Sequence, residues 1–162
     1  MNKKEVVELA IQELKRERDS LNTSLHSAKQ AAIEAPGAMQ SHSDTTKFQM
    51  NALAGDLQQH MTEKELAIRT LTEYRERPLP SNEMVTVGSL VQTTSGTNEQ
   101  TLFFVLPEGN GVRFNYQNTL ITIITPRSPL ARALLQKKKN EHALFESPVT
   151  HAKKDFLITE IW

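Results

Sequence analysis

The chain has 162 residues and a formal net charge of zero, from 19 Lys and Arg against 19 Asp and Glu. That length suits one or two small domains, and the balanced charge argues against binding nucleic acid mainly by bulk charge, which needs a clustered basic excess. The absence of cysteine excludes disulfide scaffolds, Cys-ligated zinc and thiol catalysis, while 38% hydrophobic residues and a mean hydropathy of −0.47 lead us to expect no membrane-spanning run.

The N-terminus carries Lys3 and Lys4, but acidic and polar residues come soon after them, so it does not read as a signal peptide and the expected location is the cytoplasm. Residues 1 to 77 hold two glycines and one proline (Gly37, Gly55, Pro36), and helical periodicity dominates them. Lys4, Val7, Ile11, Leu14, Arg18, Leu21, Leu25, Ala28, Ala32 and Ala35 alternate in steps of three and four, and eight of these ten are apolar, the seam expected of a coiled coil. Arg18 interrupts the seam, although its aliphatic stem can lie along it.

Ala35-Pro36-Gly37 breaks this helix, and polar residues follow before a second seam: Met50, Ala54, Leu57, Met61, Lys64, Ile68, Leu71 and Arg75, flanked by Phe48, Leu53, Ala67 and Tyr74. Ser43 or Asp44 is the expected N-cap, and Pro78 and Pro80 end the helix. Two helices of about 30 residues, each about 45 Å long, joined by a short connection, predict an antiparallel hairpin with its tip near 36–44. The seam passes from Val, Ile and Leu near the base to Ala near the tip, which makes the tip slender; alanine also serves simply as a good helix former.

After a linker at 78–82, residues 83–162 read as a small β-rich domain. Short apolar or β-branched runs at 84–87, 90–94, 102–106, 120–125, 143–147 and 156–162 are separated by turn chemistry such as Thr94-Ser95-Gly96 and Glu108-Gly109-Asn110-Gly111. One short helix interrupts them, with Ser128 as N-cap, Pro129 at the first helical position, and Lys137-Lys138-Lys139 expected at its C-terminus to complement the dipole. The fold class is therefore α+β: a coiled-coil hairpin followed by a small β-sheet domain with one short helix.

No independent catalytic constellation emerges. His26, His42, His60, His142 and His151 lack metal-ligand spacing, and there is no nucleophile elbow, Gly-rich phosphate loop or Ser/His/Asp order. Core filling accounts for Phe103, Phe104, Phe114, Tyr116, Phe145, Phe156 and Trp162, with a proline-binding pocket as the alternative use.

The segment Ser128-Pro129-Leu130-Ala131-Arg132-Ala133-Leu134-Leu135, followed by the three lysines and two closing strands, resembles the C-terminal domain of the bacterial Gre transcription elongation (transcript cleavage) factors, and Val87-Gly88-Ser89-Leu90-Val91 resembles the opening of that domain. The resemblance implies a diverged member of that family with an FKBP-like C-terminal domain. It implies an accessory factor with no catalytic residues of its own that binds the rim of the RNA polymerase secondary channel, here through Arg127, Ser128, Pro129, Leu130 and Arg132. The hairpin would enter the channel, where acidic tip residues share a Mg²⁺ with the polymerase. RNA would be met only inside the polymerase, no membrane is involved, and the factor is expected to be a monomer.

Two departures matter. Matching the tip segment places Asp44 at one acidic position and Ser41 at the other, with His42 and Ser43 between them. A serine hydroxyl is a poor Mg²⁺ ligand, so the reduced tip argues against strong cleavage stimulation; Asp44 has both a metal-assisting and a helix-capping reading. Glu34 is the nearest other acid, and reaches the tip only if the first helix ends early. The second departure is Arg127, which stands where the family often has a polar or acidic residue, and a reversed charge at an interface changes affinity or partner choice. The competing expectations are an FKBP-like peptidyl-prolyl isomerase or chaperone with the hairpin as a client-binding arm, and an oligomerising coiled coil in which Lys4, Arg18, Lys64 and Arg75 tune register.

Overall fold

The computed structural model describes residues 2–35, 43–79, 83–96, 99–109, 111–147 and 150–162, without the side chains of residues 43–45. Two long helices, α1 (Lys3–Glu34) and α2 (Ser43–Arg75), precede six strands and one short helix: β1 (Leu90–Ser95), β2 (Gln100–Val105), β3 (Arg113–Tyr116), β4 (Thr119–Ile124), α3 (Pro129–Leu134), β5 (His142–Glu146) and β6 (Lys153–Ile161). By internal contacts the chain divides into two compact units, Leu14–Ala67 and the combination of Met1–Glu13 with Ile68–Trp162.

In the unit Leu14–Ala67, Leu25, Ala28 and Ala54 form a buried cluster with Leu57 and Met61 packed against it. Leu14 and Ala32 are also buried, and Leu21 and Ala35 are half-buried, so the expected seam is the face that leaves water. Glu17 pairs with Lys64; in the other unit Glu8 pairs with Arg75. Early residues of α1 thus meet late residues of α2, and the helices run antiparallel. Three assignments need correcting. Lys4 is exposed, because a charge at the first turn reaches water more cheaply than it packs; Phe48 and Leu53 are exposed as well, because they lie off the narrow stripe that two-helix packing buries. Arg77 N–H donates to Tyr74 C=O at 3.1 Å as α2 ends ahead of Pro78.

The unit that holds the sheet has strand order β3-β4-β2-β1-β6-β5. All neighbours are antiparallel except β2 and β4, which pair in parallel with Phe104 beside Ile123. That pair lies inside the sheet, and β2 is buried on both faces from Leu102 to Val105, which explains its unbroken apolar run; in β4 Ile121, Ile123 and Ile124 are buried, while Leu120 is exposed and Thr122 half-buried. On one face, Val91, Phe103, Val105, Ile124, Ala143, Phe156 and Ile158 pack with Ala131 and Leu134 of α3. The Phe103 and Phe156 rings meet edge to face, with centroids 5.7 Å apart.

Residues 84–87, expected as a strand, form only a single bridge from Met84 to Lys138. Their hydrogen bonds go elsewhere: Gln136 N–H donates to Val85 C=O and Val85 N–H to Lys137 C=O, at 2.9 and 2.8 Å, while Thr86 N–H donates to Ser89 Oγ at 3.0 Å. Strand β3, not anticipated, is a hairpin partner of β4. Its two-residue loop places Gln117 and Asn118 at φ 49° and 64°, the left-handed pair of a type I′ turn.

Candidate functional site

Ser128 opens α3 from an extended conformation, and its Oγ accepts the Ala131 N–H at 3.2 Å. Pro129 follows at the first helical position, where its missing N–H costs nothing. The helix is anchored from beneath: Ala131 and Leu134 are fully buried, and Leu130, Ala133 and Leu135 are partly buried against the same core. This leaves Arg127, Pro129 and Arg132 exposed, with Ser128 and Leu130 half-buried beside them. The five residues expected at an interface therefore share one short element, two of them serving mainly to hold it.

The lysine run lies beyond the helix and needs a correction. The helix ends at Leu134 and Gln136 takes a left-handed φ of 66°, so the lysines are past the last turn, whose one basic residue is Arg132. Lys137 and Lys138 join the segment at Met84 and Val85, and Lys139 Nζ meets Glu160 Oε1 at 2.6 Å.

At the hairpin tip, Ser41 and His42 lie outside the described residues. Ser43 and Asp44 belong to α2 by their backbone, and their side chains lie outside the described set. The first helix does not end early: it runs through Glu34, whose Oε1 accepts from Gln30 Nε2 at 2.6 Å. Ile33 and Phe48 are 76% and 74% exposed.

Sequence reasoning missed a polar seam where the first turn of α1 meets the sheet domain within one compact unit. Tyr116 Oη donates to Glu5 Oε2 at 3.0 Å, and Lys3 Nζ donates to Gly88 C=O at 3.2 Å. Gly88 stands at φ 94°, a conformation that favours glycine. Burial, then the Glu5 carboxylate, pushes the Tyr116 phenol up; burial pushes the Lys3 ammonium down. Contacts so distant in sequence leave no periodic signal.

Of the aromatics, Phe103, Phe104, Tyr116 and Phe156 are buried, and Phe114, Phe145 and Trp162 are half-buried. The four described histidines sit on the surface: His26 is exposed on α1, His142 Nδ1 lies 2.9 Å from Asp155, His60 3.5 Å from Glu63 and His151 3.6 Å from Glu146. Among the described residues no group of three His, Asp or Glu could hold a metal ion, and no helix is long and apolar enough to cross a membrane.

No protein-family model matches the chain, and no curated protein matches it. Among solved structures it is similar to GreA factor homolog 1 (Gfh1) of Thermus thermophilus, at 16% identity over 94% of each chain with a TM-score of 0.39. It is similar also to Gfh1 of Thermus aquaticus, at 19% identity over 93% of this chain and 92% of that one, TM-score 0.40. A third is a prokaryotic transcription elongation factor GreA/GreB from Nitrosomonas europaea, at 15% identity over 60% of this chain and 78% of that one, TM-score 0.37. The likeness is distant.

Proposed function

We propose that this chain is a Gre-like accessory factor that docks on RNA polymerase through the face of α3 and places its helical hairpin in the secondary channel, modulating elongation or rescuing backtracked complexes. The observation that carries the reading is α3 itself. The segment that resembles the Gre docking motif folds as a capped helix held by Ala131 and Leu134, with Arg127, Pro129 and Arg132 turned to water. A rigid, exposed and partly basic face of this kind is suited to an electrostatically selective protein interface.

Cleavage stimulation is weak in this reading. A Mg²⁺ ion asks for about six oxygen ligands in near-octahedral order. Between Ala35 and Lys47 the chain has a single carboxylate, Asp44, so the residues present do not make a site for the ion. At most Asp44 adds one oxygen to an ion held by the polymerase; α2 opens at Ser43, so Asp44 lies within the first turn and is not the N-cap that the sequence suggested. The FKBP-like character of the sheet domain and a cytoplasmic, bacterial setting belong to the same reading.

Pull-down with core polymerase tests the partner. Wild type is retained, and Arg132→Glu, which reverses the exposed charge on α3, reduces retention at least tenfold; absence of any wild-type binding would end the proposal. In a backtracked-complex cleavage assay, stimulation is small, and Asp44→Ala removes what there is. Strong stimulation that survives Asp44→Ala refutes the role given to the tip.

A further inference from the structure

Among the described residues, strand β5 is an edge of the sheet, paired to β6 on one side only. An edge strand offers a row of backbone donors and acceptors to another strand, and natural edges are usually blunted by charge or irregularity. In β5 the residues that leave the core are His142, Leu144 and Glu146, with Ala143 buried and Phe145 half-buried between them. Leu144 is 77% exposed, more than any other large hydrophobic side chain among the described residues. An apolar residue thus stands at the middle of a five-residue edge, with a basic-capable side chain two positions before it and an acid two positions after it.

That order is self-complementary. If two copies of β5 pair antiparallel about a twofold axis through residue 144, Leu144 faces Leu144, Ala143 faces Phe145, and each His142 faces the other copy's Glu146. Each imidazole can then donate an N–H to the other copy's Glu146 carboxylate, and the exposed apolar side chain meets its own copy, the kind of cross-strand contact that stabilises a sheet. The neighbouring strand fits the same pattern: Asp155, beside Leu144 in the β6 register, lies 2.9 Å from His142 Nδ1, and Lys153 lies 3.9 Å from Glu146. The exposed side chains at 142 and 146 keep 61% and 52% of their surface, so they are available to a partner.

We propose that β5 is a homodimerisation edge, joining two copies of this chain into one continuous antiparallel sheet. His142, Leu144 and Glu146 lie on the face of β5 opposite the one through which Ala143 packs against α3, and the proposal stands independently of the polymerase reading. The expected monomer is then the dilute species of a concentration-dependent equilibrium.

Sedimentation equilibrium over a wide concentration range reads the assembly, with the mass rising from one chain toward two. His142→Glu alone sets two carboxylates opposite each other, Glu146→Lys alone removes the carboxylate acceptor that faces His142, and each raises the dimer dissociation constant by about tenfold or more. In an equimolar mixture of the two variants the introduced glutamate faces the introduced lysine and the other pair is that of the wild type, so association recovers. A crosslink gives a second readout, since the chain has no native cysteine. Paired antiparallel Cα atoms lie about 4.5–5.5 Å apart, within disulfide range, so Leu144→Cys oxidises rapidly to a covalent dimer while Ile33→Cys, equally exposed, does not. A wild type that remains one chain in mass at every concentration, as expected if the edge takes an extended segment of another protein, overturns the proposal. Association that both charge variants leave unchanged, or Leu144→Cys that crosslinks no faster than Ile33→Cys, overturns it too.

Discussion

Replacing Ser128 with Ala removes one atom whose work is well defined. Oγ accepts the Ala131 N–H at 3.2 Å, and Ala131 is fully buried, so the donor left behind finds no water without moving the helix. The helix cannot move cheaply, because Leu134 is fully buried one turn on and Leu130 and Ala133 pack against the same core. Losing a serine cap costs about 0.5–2 kcal/mol, and an unsatisfied buried donor costs about 1–3 kcal/mol; we expect about 1.5 kcal/mol for the change. At a urea slope of about 1.5 kcal/mol/M this lowers the unfolding midpoint by about 1 M. Trp162 is the single tryptophan and exchanges backbone hydrogen bonds with Leu90, at 3.0 and 2.9 Å, so its fluorescence follows the sheet domain itself. Ser128→Asp keeps an acceptor at the cap and recovers most of the loss. Equal losses in the Ala and Asp variants, or no loss in the Ala variant, would refute the capping argument. Because Ser128→Asp preserves the fold, its retention by polymerase separates a binding role for this position from a structural one.

Gly55 lies inside α2, and a Cβ added there meets nothing within 4 Å; Gly55→Ala is expected to stabilise the protein by about 0.5–1 kcal/mol, read from the urea midpoint. Leu134→Ala empties a fully buried position under α3 and costs about 2–5 kcal/mol, read the same way. Both tyrosines, Tyr74 and Tyr116, have phenols pushed up mainly by burial. The folded state therefore holds these protons more tightly than the unfolded chain, so the stability they add is complete below the ordinary tyrosine value near 10 and is lost as pH rises through the folded values. Ultraviolet titration of the native protein runs above that in concentrated urea, and Tyr116→Phe removes part of the alkaline fall in stability; coincident titrations contradict the assignment.

The hairpin was legible because its signal is local. Steps of three and four at Val7, Ile11, Leu14, Leu25, Ala28 and Ala32 name the buried face without knowledge of the partner helix. Ser128-Pro129 was legible for a similar reason, since a cap and a first-turn proline act within four residues. Strand β3 was missed because Arg113 and Asn115 hide a four-residue strand, and its turn, Gln117-Asn118, lacks the glycine that usually announces a type I′ loop. Residues 84–87 misled in the opposite direction: their composition suits a strand, but Val85 exchanges its hydrogen bonds with Gln136 and Lys137 after α3. The Tyr116–Glu5 bond joins residues 111 apart, a distance at which no pattern in one sequence speaks. Of the candidate site, the capped helix that opens at Ser128-Pro129 was readable from local chemistry, whereas the side chain of Asp44 lies outside the described set.

The change from leucine to alanine along the seam has a consequence for how the hairpin comes apart. Each buried CH₂ contributes about 0.8 kcal/mol, so a seam position filled by Ala28 or Ala32 holds about 2 kcal/mol less than one filled by Leu14 or Leu25. Opening free energy is then graded along the helix, and amide hydrogens around Ala28 and Ala32 exchange through small partial openings while those around Leu14 wait for larger ones. The hairpin behaves as a zipper with a defined weak end, which can open and reclose over a few turns while the leucine-filled stretch stays shut.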